Sequence, residues 1–376
     1  MDVNAPTPLL GGMSPAAFMR RHWQKKPLLV RQAWPGATPP VPRAALFDLA
    51  ARDDVESRLV QQRGGVWKVR QGPLARRALP PVSRPGWTLL VQGLDLHIPA
   101  AHDMLCRFRF IPDARLDDLM VSWASPDGGV GPHTDAYDVF LVQVQGRRRW
   151  RVGPPVRGAG PAWVEGVPLK RLADFKPTLD WVLEPGDMLY LPPHWGHDGS
   201  AVGGDCMTCS VGFRVPTAGE LARELLVRLS EEDGEPTLYR DPRQAATANP
   251  GQLPPTLEAF ARKALERHLA DPLALPRALG EILTEPKPRV WFESSGGSGE
   301  AGAALQLDAR SRMGYDTRHI FINGESFVAA GRDARLMHLL ADARRLSTRE
   351  RKGLSSGAAD LVQEWLAAGW LHEERL

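Results

Sequence analysis

His133-Thr134-Asp135 sets an imidazole and a carboxylate two residues apart, and His197 closes the later segment Leu191-Pro192-Pro193-His194-Trp195-Gly196-His197. On a strand, residues two apart point to one face. An imidazole from a distant strand would complete one triangular face of a metal's coordination shell. Two histidines and one carboxylate leave the other positions open, which suits non-haem iron(II) that must take a co-substrate and O2 together. His194 is the nearest competitor for the third position. The HxD triplet alone is weak, because short patterns recur by chance; it gains force from its surroundings.

The positioning elements read as short strands separated by turn chemistry. Leu119-Met120-Val121-Ser122-Trp123 is an apolar run carrying one hydroxyl, and the polar loop Ser125-Pro126-Asp127-Gly128-Gly129 leads from it to the HxD. Tyr137 to Gln145 is rich in β-branched and aromatic side chains. Gly146 offers a turn before Arg147-Arg148-Arg149-Trp150-Arg151-Val152 resumes, and alternation sends Arg148 to the opposite face from its arginine neighbours. Glu184-Pro185-Gly186-Asp187 places proline and glycine at the second and third positions of a tight turn. Met188 to Leu191 and Cys206 to Val215 supply two further strands. Successive short strands bounded by glycine and proline predict a closed or sandwiched, mainly β domain. A double-stranded β-helix gathers inward side chains from facing strands at its mouth, where a metal can sit.

Four blocks in order carry a resemblance: Gly131 to Phe140, Gly146 to Val152, Glu184 to His197, and Ser210 to Arg214. They resemble the JmjC-type 2-oxoglutarate oxygenases of cupin architecture, and within these the bacterial ribosomal oxygenases, the ribosomal-protein arginine hydroxylases. Phe18 to Leu29 resembles the opening helix and strand of that branch. The resemblance implies His133, Asp135 and His197 as iron(II) ligands, with His194 left at the rim. It implies that Arg148 pairs with the distal carboxylate of 2-oxoglutarate. A planar guanidinium suits that role, since it can donate two parallel charge-assisted hydrogen bonds. Ser122 matches a hydroxyl that donates to the same carboxylate. Tyr137 shares strand parity with His133 and Asp135 and is expected at the mouth, flanking the substrate side chain. Asp127 and Asp138 are acidic candidates for attracting a cationic substrate. The implied activity is hydroxylation of an unactivated C–H bond with 2-oxoglutarate and O2 as co-substrates, on an arginine of a large-subunit ribosomal protein. Histidine hydroxylation of a ribosomal protein and lysine demethylation are the neighbouring alternatives.

Composition narrows the classes further. Cys106, Cys206 and Cys209 are too few for a disulfide framework in 376 residues. Cys206-x-x-Cys209 falls in a predicted strand with no second pair for zinc, so buried thiols are expected. The N-terminus lacks a basic stretch followed by an apolar core, and no run approaches the roughly 20 apolar residues that span a bilayer. A cytoplasmic protein without membrane association is expected. Net charge is only +3 with a pI near 8.8, so Arg20 to Lys26 and Arg344 to Lys352 read as charged surface suited to a ribosomal protein partner.

The 376 residues predict two or three domains at roughly 100 to 200 residues each. Residues 1–216 form the catalytic domain. Over 217–285, Leu221, Leu225, Leu226 and Leu229, then Leu257, Phe260, Ala264, Leu265 and Leu269, then Leu273 to Leu283, recur at helical spacing. In the family this all-α segment makes a homodimer. Over 286–376, strands at Arg289 to Phe292, Ala304 to Leu307 and His319 to Ile322, a Gly/Ser connector from Ser294 to Gly302, an Asn323-Gly324 turn and helices at 333–344 and 358–368 resemble a winged-helix-like α+β domain. Asp333, Asp342, Asp360 and Glu364 interrupt its basic surface, which weighs against direct nucleic-acid binding. Two readings from other classes are a cupin-type ligand sensor with a nucleic-acid-reading C-terminal domain and a non-catalytic ribosome-assembly scaffold. An intact iron triad with Arg148 at the co-substrate position weighs against both.

Overall fold

The structure is a computed structural model and describes residues 2–156, 162–166, 169–231, 237–294 and 303–374. The chain divides into two compact units, one ending at Val215 and one beginning at Pro216.

In chain order the first unit contains α1 (Pro15–Arg21), β1 (Leu28–Val30), α2 (Arg43–Leu49), β2 (Ser57–Arg63), β3 (Val66–Gln71), β4 (Trp87–Val91), α3 (Pro99–Cys106), β5 (Leu116–Ala124), β6 (Val139–Pro155), β7 (Leu179–Leu183), β8 (Met188–Leu191) and β9 (Trp195–Phe213). Ser14 starts α1 by accepting from the Ala17 N–H, with Pro15 in the first turn, where its missing donor costs nothing. The strands form one antiparallel sheet in the order β1-β8-β6-β9-β5-β4-β2-β3, with β7 also on β6. Its frame is the long pair β6 and β9, matched from Val139↔Gly212 to Pro155↔Trp195. The turn expected at 184–187 forms: Asp187 N–H donates to the Glu184 carbonyl at 2.9 Å and Gly186 takes φ 96°. One core gathers Phe18, Trp123, Phe140, Val142, Tyr190 and Phe213 under the N-terminal helices. A second gathers Val139, Leu141, Trp150, Val152, Leu189 and Leu191.

Two sequence expectations fail here. Gly146 does not end a strand; β6 runs through it with register shifts on either side. Its φ of 61° lets the strand absorb a β-bulge, and a Cβ there would stand 2.2 Å from the Asp205 carbonyl oxygen. The HxD is also not a regular strand, since only His133 makes a bridge and Asp135 follows in irregular chain.

The second unit contains α4 (Ala218–Ser230), α5 (Pro255–His268), α6 (Ala274–Thr284), β10 (Leu305–Leu307), β11 (Met313–Tyr315), β12 (His319–Ile322), β13 (Glu325–Val328), α7 (Gly331–Ala343), β14 (Arg345–Leu346), α8 (Thr348–Arg351), α9 (Ser356–Ala367) and β15 (Leu371–Glu373). Thr217 and Glu220 cap α4 reciprocally. Leu225 and Leu229 of α4 pack on Ala274 and Ala278 of α6, while α5 buries none of its residues. Two small sheets, β14-β10-β15 and β11-β12-β13, share a core with Met337, Leu340, Val362 and Trp365 of α7 and α9. Asn323-Gly324 makes the expected two-residue hairpin, with φ 49° and 89° between Ile322↔Glu325. The strand expected at Arg289 to Phe292 is absent: Arg289 takes φ 66°, and Arg310 satisfies this segment instead, donating to the Trp291 carbonyl at 2.9 Å. Most of the expected Gly/Ser connector, residues 295–302, lies outside the described residues.

Candidate active site

His133 and His197 face each other across a bridge. Each backbone N–H donates to the other's carbonyl at 2.9 Å, so their side chains share one face and the ring centroids stand 4.2 Å apart. Asp135 is held by the turn that delivers His197. His194, at φ 65°, donates its backbone N–H to the Asp135 carbonyl at 2.7 Å. The Asp135 carboxylate then lies 3.4 Å from His197 Nε2, and one ligand atom from each of the three residues falls within 4.8 Å of the others. Among the described residues, no fourth His, Cys, Asp or Glu joins this set.

Tautomers follow from the backbone. His133 Nδ1 lies 2.8 Å from the Gly131 carbonyl and His197 Nδ1 lies 2.9 Å from the Trp195 carbonyl. A carbonyl only accepts, so both Nδ1 atoms carry a proton and Nε2 is the atom each ring presents to a metal. Burial, helped by the neighbouring His197, pushes His133 down to about 4 and keeps it neutral. Burial acts to raise Asp135, but the hydrogen bond and charge of a protonated His197 outweigh it and hold the carboxyl at about 2. His197 is desolvated too, yet Asp135 moves it upward. A divalent ion binds neutral imidazoles and an ionised carboxylate and would displace the His197 Nε2 proton on binding, so the donor set fits iron(II).

The triad opens into a cavity of about 320 Å³ that also exposes Ser122, Arg148 and Trp150. Arg148 is 3% exposed, donates to Ser122 Oγ at 3.1 Å and to the Gly199 carbonyl at 3.3 Å, and lies 4.9 Å from the Trp150 ring centroid. Its Nε is buried without a hydrogen-bond partner, and no carboxylate among the described residues pairs with it. A buried cation held by neutral groups alone is costly unless an anion joins it. The distal carboxylate of 2-oxoglutarate fits that need. Gly199 makes the space: a Cβ there would sit 2.7 Å from Trp150 and 2.8 Å from Arg148 Nε.

The structure separates the remaining candidates. Tyr137 lines the cavity, 40% exposed as a residue; burial of its phenol and the nearby Asp135 carboxylate push it upward. Asp127 is exposed on a φ 59° turn and His194 is exposed on its own turn, both away from the cavity. Asp138 is a correction. It is fully buried in the other core, accepting from the Tyr190 hydroxyl at 2.6 Å and Gln24 Nε2 at 3.0 Å, so it anchors the N-terminal segment and does not face a substrate. Asp117 and Asp118, together with Arg58 and Lys170, line the cavity without having been singled out. Asp118, Met120 and Ser122 share the inward parity of β5, and that alternation was the available signal. All three cysteines are free, Cys206 and Cys209 buried as expected, and burial raises both thiols.

Comparison with known proteins follows the same division. A JmjC domain is matched over residues 103–221 and a ROXA-like winged helix over residues 260–372. The chain is 35% identical over 274 residues to the ribosomal protein uL16 3-hydroxylase of Escherichia coli strain K12, covering 72% of this chain and 71% of that one. It is 36% identical over 223 residues to a probable ribosomal oxygenase of Haemophilus influenzae, covering 56% and 52% respectively. The X-ray structure of E. coli ycfD superposes with a TM-score of 0.82 at 28% identity, covering 96% of this chain and 98% of that one. The same ribosomal oxygenase in complex with cobalt and 2-oxoglutarate gives 0.78 at 28% identity with the same coverage. The chain therefore belongs to the JmjC-domain iron(II)- and 2-oxoglutarate-dependent oxygenases, in the bacterial ribosomal oxygenase branch.

Proposed function

We infer that this enzyme hydroxylates an arginine side chain of a large-subunit ribosomal protein of the uL16 type. The observation that carries the reading is the juxtaposition, in one cavity, of the His133/Asp135/His197 face and the unpaired, buried Arg148. His133, Asp135 and His197 hold iron(II), and Arg148 and Ser122 orient the distal carboxylate of 2-oxoglutarate. With O2, the bound iron and 2-oxoglutarate supply the oxidising chemistry, giving succinate and carbon dioxide and leaving one oxygen atom on the substrate. The chain fixes which C–H bond is presented. Tyr137 lines the cavity beside Asp135, and Asp117 and Asp118, set among Arg58 and Lys170, put carboxylates in the lining with which a substrate guanidinium can pair.

The E. coli relative is named a hydroxylase of ribosomal protein uL16, which supports the substrate class. Purified protein with iron(II), 2-oxoglutarate, O2 and a uL16 fragment, read by mass spectrometry, should place one oxygen atom on an arginine, and His133→Ala should abolish it. Oxygen on a histidine, or loss of a methyl group from lysine, would contradict the arginine assignment.

The reading extends to assembly. Leu226 and Val227 of α4, Leu257 and Leu265 of α5 and Leu269 just after it are exposed apolar side chains, which favours residues 217–285 as a homodimer interface. Residues 286–376 then serve protein contact or domain stabilisation, not nucleic-acid reading. Among the described residues no helix is long and apolar enough to cross a membrane. A ribosomal substrate supports a cytoplasmic enzyme.

A further inference from the structure

β6 changes face at Gly146. Before it, Val139 and Leu141 line the cavity while Phe140, Val142 and Val144 enter the opposite core; after it, Arg148 and Trp150 line the cavity. Carried on without interruption, alternation would leave Arg148 on the side of Phe140 and Val142 and turn Arg147 and Arg149 inward. The register shifts between Gln143 and Gln145 and between Gln145 and Arg147 make the switch.

One buried side chain clamps this bulge. Gln143 Nε2 donates to the carbonyls of Gln145 at 2.8 Å and Gly146 at 3.2 Å, and its Oε1 accepts from the Thr208 hydroxyl of β9 at 2.8 Å. The Gln143 backbone is fixed as well, donating to the Asp187 carbonyl and accepting from the Gly186 N–H, both at 2.9 Å. Neither Gln143 nor Thr208 lines the cavity.

We propose that Gln143 is a positioning residue for 2-oxoglutarate: by clamping the β6 bulge it makes Arg148, and not Arg147 or Arg149, the cation of the cavity. This rests on the reading of Arg148 as the co-substrate anchor. Since Gln143 does not reach the cavity, its effect on 2-oxoglutarate must pass through Arg148.

The test is anaerobic titration calorimetry of the full chain with Mn(II) in place of iron, measuring Mn(II) first and 2-oxoglutarate second. Gln143→Met keeps the length of the buried side chain but removes its two donors and its acceptor. Two to three neutral hydrogen bonds are at stake, so the Kd for 2-oxoglutarate should rise about tenfold, with Mn(II) affinity held within about twofold. Thr208→Val removes one of these bonds and should weaken 2-oxoglutarate about threefold, which keeps the test open if Gln143→Met does not fold. Unchanged 2-oxoglutarate affinity in the folded variants overturns the proposal, as does a parallel loss of Mn(II) and 2-oxoglutarate affinity, which marks general damage. Wild-type protein that binds Mn(II) but no 2-oxoglutarate overturns the reading of Arg148 itself, and this proposal with it.

Discussion

Gly199→Ala adds one methyl group at the point where Arg148 and Trp150 meet. The new Cβ would stand 2.7 and 2.8 Å from two carbons of the Trp150 ring and 2.8 Å from Arg148 Nε. Contacts this short must relax. Trp150 is 5% exposed and packed among Val139, Leu141 and Leu183, so the ring has little room to yield. The guanidinium is the softer partner, held by two neutral hydrogen bonds at 3.1 and 3.3 Å. Overpacking of this kind costs about 1–3 kcal/mol. If Arg148 takes most of it, 2-oxoglutarate affinity should fall roughly 5- to 150-fold. Anaerobic titration of Mn(II)-loaded protein measures this directly, and steady-state turnover should show the same rise in the KM for 2-oxoglutarate. Any share that falls on the fold lowers the melting temperature by about 2–4 °C per kcal/mol. A Gly199→Ala protein with wild-type 2-oxoglutarate affinity would refute the placement of the co-substrate beside Arg148.

Asp308 in the second unit gives a pH prediction. Burial acts to raise it, but Arg310 and His372 hold it at about 2, below the ordinary 3.8, so its contribution is complete above pH 4 and is lost as pH falls through about 2. Asp308→Asn should destabilise the protein by roughly 2 kcal/mol at pH 6 in thermal unfolding, with the difference closing between pH 4 and 2; a gap independent of pH would contradict this. Asp118→Asn, which keeps an acceptor for the Gly93 N–H that the carboxylate now binds at 2.8 Å, should raise the KM for an arginine-bearing peptide at least tenfold and leave that for 2-oxoglutarate unchanged. Equal effects on both would remove Asp118 from the substrate side. Leu226→Arg combined with Leu265→Arg should convert a dimer to a monomer in analytical ultracentrifugation, because neither side chain is buried within the chain; an unchanged sedimentation coefficient would rule out this face.

The candidate metal face was legible because His133, Asp135 and His197 sit in local patterns with strong turn and strand punctuation. Their convergence depends on cross-strand pairing, which the HxD spacing alone anticipates for the wrong reason. Asp135 reaches the site from irregular chain pinned by the His194 backbone, not from a strand. Arg148 was placed correctly relative to Arg147 and Arg149, since alternation holds over a short run. Its parity relative to Val139 and Leu141 was not legible, because the bulge needs Gln143, Gly146 and the facing residues of β9 together. Asp138 was misjudged for a related reason: it enters β6 on the parity of Phe140, and so lies in the core with Tyr190. Asp118 was missed because an acid in a strand ordinarily reads as surface. The Arg289 to Phe292 run has strand composition but, among the described residues, no strand pairs with it, and composition cannot supply one.

Anomalous diffraction at the iron edge, from crystals grown anaerobically with iron(II) and 2-oxoglutarate, tests the central claim most directly. One peak should be ligated by Nε2 of His133, the Asp135 carboxylate and Nε2 of His197, with no fourth protein donor and with the distal carboxylate of 2-oxoglutarate on Arg148. A peak elsewhere, a fourth side chain closing the shell, or 2-oxoglutarate bound away from Arg148 would contradict it.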